Sequence, residues 1–338
     1  VKAVMGIKEV DWKSAARRFA FGLSVWLAAQ ASVTSVMAAP AAPVAPAAAV
    51  APAKADAVVA LPTVSGDLTG TLKKIHDTGL ITLGYREAAI PFAYVNDKGK
   101  PVGYTMDLCY AVVDAVKTAL NLPNLRVREM SITPQNRIPL VKNGTVDLDC
   151  APNTITPERA EQVGFSNPYY VSEVRLLVNK KDNIRGLEDL KGQNLVASAG
   201  STGERLARMQ AEKIGYRVIP ARDHGESMMT LETGRAKAFA LDDVLLAGFR
   251  ANARDPESFA IVGAPLETEL NALMLRRDDP QFKRFVDTTL AHLYTSGDIR
   301  RIQRKWFQQP IPPRNVNLNL EPSKEVIEVW HKGSRVTE

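Results

Sequence analysis

The chain has 338 residues, 45% hydrophobic and 24% charged, with a formal net charge of +6. This is the composition of a soluble globular protein able to bury one large core or two modest ones. Its two cysteines and four histidines fall in no grouping with metal-site spacing, so neither a metal nor another cofactor is expected.

The chain opens with Lys2, Lys8, Lys13, Arg17 and Arg18, followed by the uncharged stretch "FAFGLSVWLAAQASVTSVMA". A basic start, an apolar middle and small residues at Val36 and Ala38 predict a secretory signal over residues 1–38, cut after Ala38. The alternative is an uncleaved membrane anchor, which the length of the apolar run would allow. Pro40, Pro43 and Pro46 follow at once and favour the cleaved signal. Taking away the five positive and two negative charges of this segment lowers the net charge from +6 to +3. So weak a positive charge, with no Lys/Arg cluster interleaved with aromatics, gives no reason to expect a nucleic-acid partner. Residues 39–65, rich in Ala and Pro, read as a disordered or extended tether.

Beyond the tether, strands and helices alternate. "LITLGYR" (80–86) predicts a strand, "MDLCYAVVDAVKTAL" (106–120) a helix, "LRVREMSI" (125–132) a strand and "PQNRIPLVKNG" (134–144) a short helix. "TVDLDC" (145–150) and "NLVASAG" (194–200) predict strands, and a helix starts at Ser201. A strand over 216–221, a helix over 225–234, a strand over 236–243 and helices near 280–296 and 298–308 complete the series. Strands separated by helices imply an α/β protein with mostly parallel sheets covered on both faces. Cys109 lies on the apolar stripe of its helix with Val112, Val113, Val116 and Leu120, and Cys150 continues the inward alternation of Val146 and Leu148. Both cysteines should therefore meet in one core. They could be two buried thiols, but an exported chain matures where disulfides persist, and that favours a bond.

Two segments, "IPLVKNGTVDLD" and "MTLETGRAKAFALDD", share a pattern: a helix ending at Gly144 or Gly234, then a strand ending in Asp149 or Asp242. It is either generic αβ grammar or the mark of two similar lobes, whose cleft would be lined by strand ends and helix N-termini. Three helix starts would face such a cleft. Thr133–Pro134 carries Arg137 in its first turn, Thr156–Pro157 carries Arg159, and Ser201 with Glu204 forms a capping box between Gly200 and Gly203. A cation at the positive end of a helix becomes favourable when an anion sits there, bound by backbone N–H groups and a guanidinium together. The plainer reading is two arginines that turn into solvent or pair with surface acids. Arg86 follows a strand and could reach the same cleft. Asp242 could hold an ammonium group or cap the helix that starts at Asp243. His224, just before a helix, could be a structural histidine or a ligand contact.

The motifs "GYREAAIPFAY", "SITPQNRIPLVKNGTVDLDCAPNTITPER", "VGFSNPYY", "ARDHGESMMTLETGRAKAFALDDVLLAG" and "LRRDDPQFKRF" resemble, in fixed order from about Leu72 to Leu320, the periplasmic glutamate/aspartate-binding proteins of ATP-binding-cassette (ABC) importers. The resemblance implies a two-lobed, type II periplasmic-binding-protein fold: two mixed sheets flanked by helices, with a hinge and a ligand cleft between them. Residues 66–172 and 269–338 would form lobe 1 and 173–268 lobe 2, hinged near Ser172 and Leu270. It implies a monomeric receptor without catalytic residues, which encloses an L-amino acid and delivers it to an inner-membrane permease. Arg159, Thr154 and Thr202 would hold the α-carboxylate, and Asp242 the α-ammonium. Arg86, Arg137 and His224 would face a side-chain carboxylate. The chain departs from the family at "TPQNR" and "CAPNTIT", where prolines 134 and 152 replace ligand-contacting serines. Pro152 keeps a carbonyl that could accept from an ammonium group. The alternative ligands are glutamine and asparagine. A reading from another class is an exported dehydratase on the same fold, which would need a general acid such as Glu87 or His224.

Overall fold

A computed structural model describes residues 57–335. The signal, its cleavage site and most of the tether lie outside the described residues. The last part of the tether, 59–65, forms no helix or strand. Val59 N–H donates to Thr295 Oγ1 (2.9 Å), and its carbonyl lies 2.7 Å from His292 Nδ1. Val64 packs on the main core.

Ten helices and twelve strands follow in chain order among the described residues. Helix α1 (Gly70–Thr78) leads into β1 (Leu80–Tyr85), and three short strands, β2 (Ala88–Ala89), β3 (Ala93–Val95) and β4 (Pro101–Val102), make a small antiparallel sheet. Then come α2 (Tyr104–Ala119), β5 (Arg126–Ser131), α3 (Arg137–Lys142), β6 (Leu148–Thr154), α4 (Pro157–Ala160), β7 (Gly164–Phe165) and β8 (Tyr170–Asn179). The middle of the chain holds β9 (Asn194–Ser198), α5 (Thr202–Ile214), β10 (Arg217–Ala221), α6 (His224–Glu232), β11 (Ala238–Asp242) and α7 (Asp243–Asn252). Strand β12 (Phe259–Leu275) precedes α8 (Pro280–Ser296), α9 (Asp298–Phe307) and α10 (Lys324–Gly333).

The main sheet runs β10–β9–β11–β8–β12–β6–β1–β5, with β7 also on β12. Strand β1 is parallel to β5 and β6, and β9 is parallel to β10 and β11, as alternating strands and helices require. The expected two sheets are joined into one hydrogen-bonded path, because the antiparallel β8 and β12 pass from one half into the other. Strand β12 has 17 residues and would span about 55 Å fully extended, enough to serve both halves. Its pairing with β8 shifts register between Val262 and Glu267.

Two predicted elements move. The helix expected over 134–144 begins only at Arg137. Thr133 and Asn136 lock the preceding residues in a turn: Thr133 N–H donates to Asn136 Oδ1 (2.7 Å) and Asn136 N–H to Thr133 Oγ1 (3.2 Å). The strand expected over 145–150 is β6, displaced toward its C-terminus, so Asp149 lies near its start rather than its end. Pro152 has no N–H to give. It sits where the pairing of β6 with β12 shifts register between Ala272 and Met274.

Cys109 on α2 and Cys150 on β6 form a disulfide, with Cα atoms 6.1 Å apart, inside the main core. Nearby, Phe92, Tyr104, Tyr169, Tyr170 and Phe307 pack ring against ring with centroids 5.1–6.2 Å apart. Among the described residues no helix is long and apolar enough to cross a membrane, and no group of His, Cys, Asp or Glu could hold a metal.

Candidate functional site

The C-terminal ends of β1 and β6, with the starts of α3 and α4, face the end of β11 and the starts of α5 and α6 across a seam. Arg86, one residue past β1, and Arg137, the first residue of α3, are each only 3% exposed. Arg86 Nη2 approaches Asn153 Oδ1 at 3.5 Å and its Nη1 the Ile132 carbonyl at 3.5 Å, both long contacts. Arg137 donates to the Pro134 carbonyl through Nη1 and faces the Gly200 carbonyl through Nη2 at 3.5 Å. The Nε atoms of both arginines are buried without a hydrogen-bond partner among the described residues. Burial lowers both guanidinium pKa values, and Arg159 and Arg86 lower that of Arg137 further. Such groups call for an anion.

Thr156 caps α4 as expected, accepting from Arg159 N–H at 3.3 Å. Yet α4 has four residues and α3 six, too few for the helix-end anion sites expected from the sequence. The arginine at the start of α4 is explained differently. Its guanidinium leaves the helix, donating to the Thr154 carbonyl (2.9 Å) and, across the seam, to the Gly200 carbonyl (3.2 Å). Helix α5, with 13 residues, brings a full-length helix start to this seam. Ser201 caps it, accepting from Glu204 N–H (3.1 Å), while Glu204 accepts from Gly200 N–H (2.8 Å). Thr202 at its first position is buried, and the first-turn N–H groups have no intrahelical partner. Gly203 lets the helix sit against β11, since a Cβ there would lie 2.5 Å from the Ala240 carbonyl. Gly200, at φ +78°, lies so near the opposite side that a Cβ would be 3.0 Å from the Pro134 carbonyl and from Gln135 Cα.

Asp242 does not cap α7; Asp243 accepts from Val244 N–H (2.8 Å) and Glu173 N–H (3.0 Å) instead. The Asp242 carboxylate accepts from Ser172 Oγ at 2.8 Å and from Asn271 Nδ2 at 3.5 Å, and burial raises its pKa. His224 is buried at the start of α6, with Nδ1 2.6 Å from Ser198 Oγ. Burial first, then Arg86 and Arg137, depress its pKa to about 3, so it is a neutral polar group and not a third cation beside the two arginines. Pro152 is half-buried on β6, between Asp149 and Thr154.

Sequence reasoning noted Asp149 only as the end of a strand and missed Glu269; both are buried acids at this site. Asp149 is fully buried and feels the charges of Arg86 and Arg137. Glu269, on β12, accepts from Thr154 Oγ1 and feels Asp242 and Arg159. Their signal was weak, because a lone acid on a strand ordinarily reads as a solvated face.

The site therefore has two ends. Arg86 and Arg137 with Asp149 and a neutral His224 form one, with an excess of one positive charge. Arg159, Thr154 and Thr202 with Asp242 and Glu269 form the other. A cavity of about 210 Å³ opens at the first end, lined by Arg86, Ile132, Thr133, Asp223 and His224 among others.

Residues 81–309 match the model of the bacterial extracellular solute-binding proteins, family 3. The chain is 49% identical over 273 residues to the L-glutamate/L-aspartate-binding protein of Pseudomonas aeruginosa, covering 80% of this chain and 90% of that protein. It is 46% identical over 258 residues to the glutamate/aspartate import solute-binding protein of Escherichia coli, covering 76% and 85%. Among solved structures, an ABC uptake transporter substrate-binding protein of Streptococcus pneumoniae with bound histidine superposes with a TM-score of 0.64 at 24% identity, over 70% of this chain and 96% of that one. An ancestral arginine-binding protein bound to glutamine gives 0.62 at 27% identity, over 68% and 98%. Fold and sequence agree: this exported protein belongs to the bacterial extracellular solute-binding proteins, family 3.

Proposed function

We propose that the protein is the periplasmic receptor of an ABC importer for an acidic L-amino acid, glutamate or aspartate, and that it has no catalytic step of its own. The observation that carries this reading is the charge at the side-chain end. Two buried guanidiniums, Arg86 and Arg137, stand against one buried carboxylate, Asp149. A side-chain carboxylate balances the remaining charge; an amide would leave it buried and unpaired. The names of the relatives in Pseudomonas aeruginosa and Escherichia coli support the same ligand class.

In this reading Arg159, Thr154 and Thr202 bind the α-carboxylate, and Asp242 binds the α-ammonium with help from the Pro152 carbonyl. Arg86, Arg137 and His224 bind the side chain, His224 as a neutral hydrogen-bonding group. Pro134 lacks the serine hydroxyl, but its backbone carbonyl, which any residue there would supply, accepts from Arg137 Nη1. Residues 66–172 and 269–338 form one lobe and 173–268 the other. They bend at Ser172 and Leu270, which lie one register step apart on the paired strands β8 and β12. The signal is cut near Ala38 in the periplasm, and the monomer passes its ligand to an inner-membrane permease. Calorimetric titration with glutamate, aspartate, glutamine and asparagine tests the ligand. The acids are expected to bind at least tenfold tighter than their amides; tighter glutamine binding overturns the acidic assignment.

A further inference from the structure

At the α-amino-acid end, β12 contributes a residue that the ligand set read from the sequence does not contain. Glu269 is 2% exposed. In the antiparallel register it stands opposite Ser172 on β8, and Asn271, two residues along the same face, stands opposite Thr154 on β6. Ser172 and Asn271 both reach the Asp242 carboxylate. One face of β12 therefore brings Glu269 toward Asp242 on β11. Glu269 Oε2 accepts from Thr154 Oγ1, while its Oε1 is buried without a partner among the described residues. The groups facing it are Asp242 from β11, Thr154 from β6, Thr202 from α5 and Arg159 from α4.

These groups leave a charge imbalance. Two buried carboxylates share the single guanidinium of Arg159, whose donors already serve the Thr154 and Gly200 carbonyls. Two carboxylates held together in a buried site are stable only with one proton or one further cation between them. An amino acid supplies that cation in its ammonium group.

We propose that Glu269 is a second acid of the ammonium subsite: it positions Thr154 and, jointly with Asp242, gives up one shared proton when the ligand's ammonium group enters. The proposal rests on the amino-acid-receptor reading above. Its balance is simple: the carboxyl O–H bond breaks, the proton passes to buffer, and the ammonium replaces it as counter-charge. Burial and Asp242 push the Glu269 pKa up to about 7, which places the exchange within the working range of the periplasm. His224, held near 3, and the amino acid's own groups do not titrate there. Glu269 acts on the α-carboxylate through Thr154, so toward that group it is a positioning residue.

The test is titration calorimetry with L-glutamate in buffers of different ionisation enthalpy, between pH 5.5 and 8.5, on wild type and Glu269→Gln. Glutamine still accepts from Thr154 but cannot exchange a proton. Wild type is expected to release about one proton per ligand at pH 6 and almost none at pH 8.5. Its affinity should rise up to about tenfold per pH unit below 7 and level off above. In Glu269→Gln the proton release at pH 6 should vanish and the affinity should be flat with pH. Wild-type binding without proton release at pH 6, or undiminished release in the variant, overturns the proposal while the receptor reading stands. The absence of binding by any amino acid overturns both. The wild-type proton count decides even if the variant does not fold.

Discussion

His224 Nδ1 lies 2.6 Å from Ser198 Oγ, in a corner that also holds Ser227 Oγ, 2.9 Å from the same hydroxyl. The histidine ring therefore bonds a hydroxyl rather than a carboxylate, and burial, then Arg86 and Arg137, outweigh the opposite pull of Asp223 to disfavour its protonation. Its folded pKa, about 3, is below the ordinary 6.5. A group that prefers to be neutral in the fold contributes stability that is complete above its unfolded pKa and is lost as pH falls toward the folded one. The ring resonances of His224 should show no titration between pH 5 and 8. Stability should decline from about pH 6.5 downward, less steeply in His224→Gln. An inflection near pH 6.5 would return the histidine to the list of cations.

The arginines should divide by role. If Arg159 binds the α-carboxylate as proposed, Arg159→Ala is expected to weaken every amino-acid ligand, since all share that group. Arg137→Ala should weaken glutamate by about thirtyfold or more and glutamine far less, because a charge-assisted contact with a buried carboxylate is lost. Titration of both variants with both ligands measures this. Equal losses for glutamate and glutamine in Arg137→Ala would remove the acidic specificity.

The disulfide closes a loop across 41 residues. Replacing both cysteines by serine should cost about 4 kcal/mol in chemical unfolding, by the entropy of that loop. Ligand preference should be unchanged, because the bond ties α2 to the start of β6 within the main core and neither cysteine is among the proposed ligand contacts. A shift in preference would mean that β6 depends on the bond for its register.

Gly203→Ala should damage both stability and binding. Its Cβ would meet the backbone of β11, which cannot yield as a side chain could. A loss of about 1–3 kcal/mol is expected by urea denaturation. Affinity should fall with it, as the start of α5 is pushed from the seam.

Much of this was legible in the chain. The Thr156 and Ser201 caps, the strands before Arg86 and after Gly234, and the meeting of Cys109 with Cys150 all follow from local chemistry. The start of α3 did not, because Thr133 and Asn136 bond to each other before the helix begins. Strands β8 and β12 escaped notice because each finds its partners far along the chain, although "YVSEVRLLVN" does alternate between buried and half-buried residues. Asp149 and Glu269 were hidden for the same reason. The charges that give them meaning are contributed by β1, α3, α4 and β11, and no local pattern brings these together.

The absent side chain at Gly200 makes the seam a gauge of size. With the Pro134 carbonyl only 3.0 Å from where a Cβ would stand, the two faces meet with less clearance than one methyl group. The Gly200 carbonyl also serves Arg159 and faces Arg137. A guest too bulky to let the faces come fully together thus loses contacts to the protein as well as its own fit. On the proposed receptor reading, discrimination by length would lie in the backbone, where substitutions in the pocket lining cannot easily relax it.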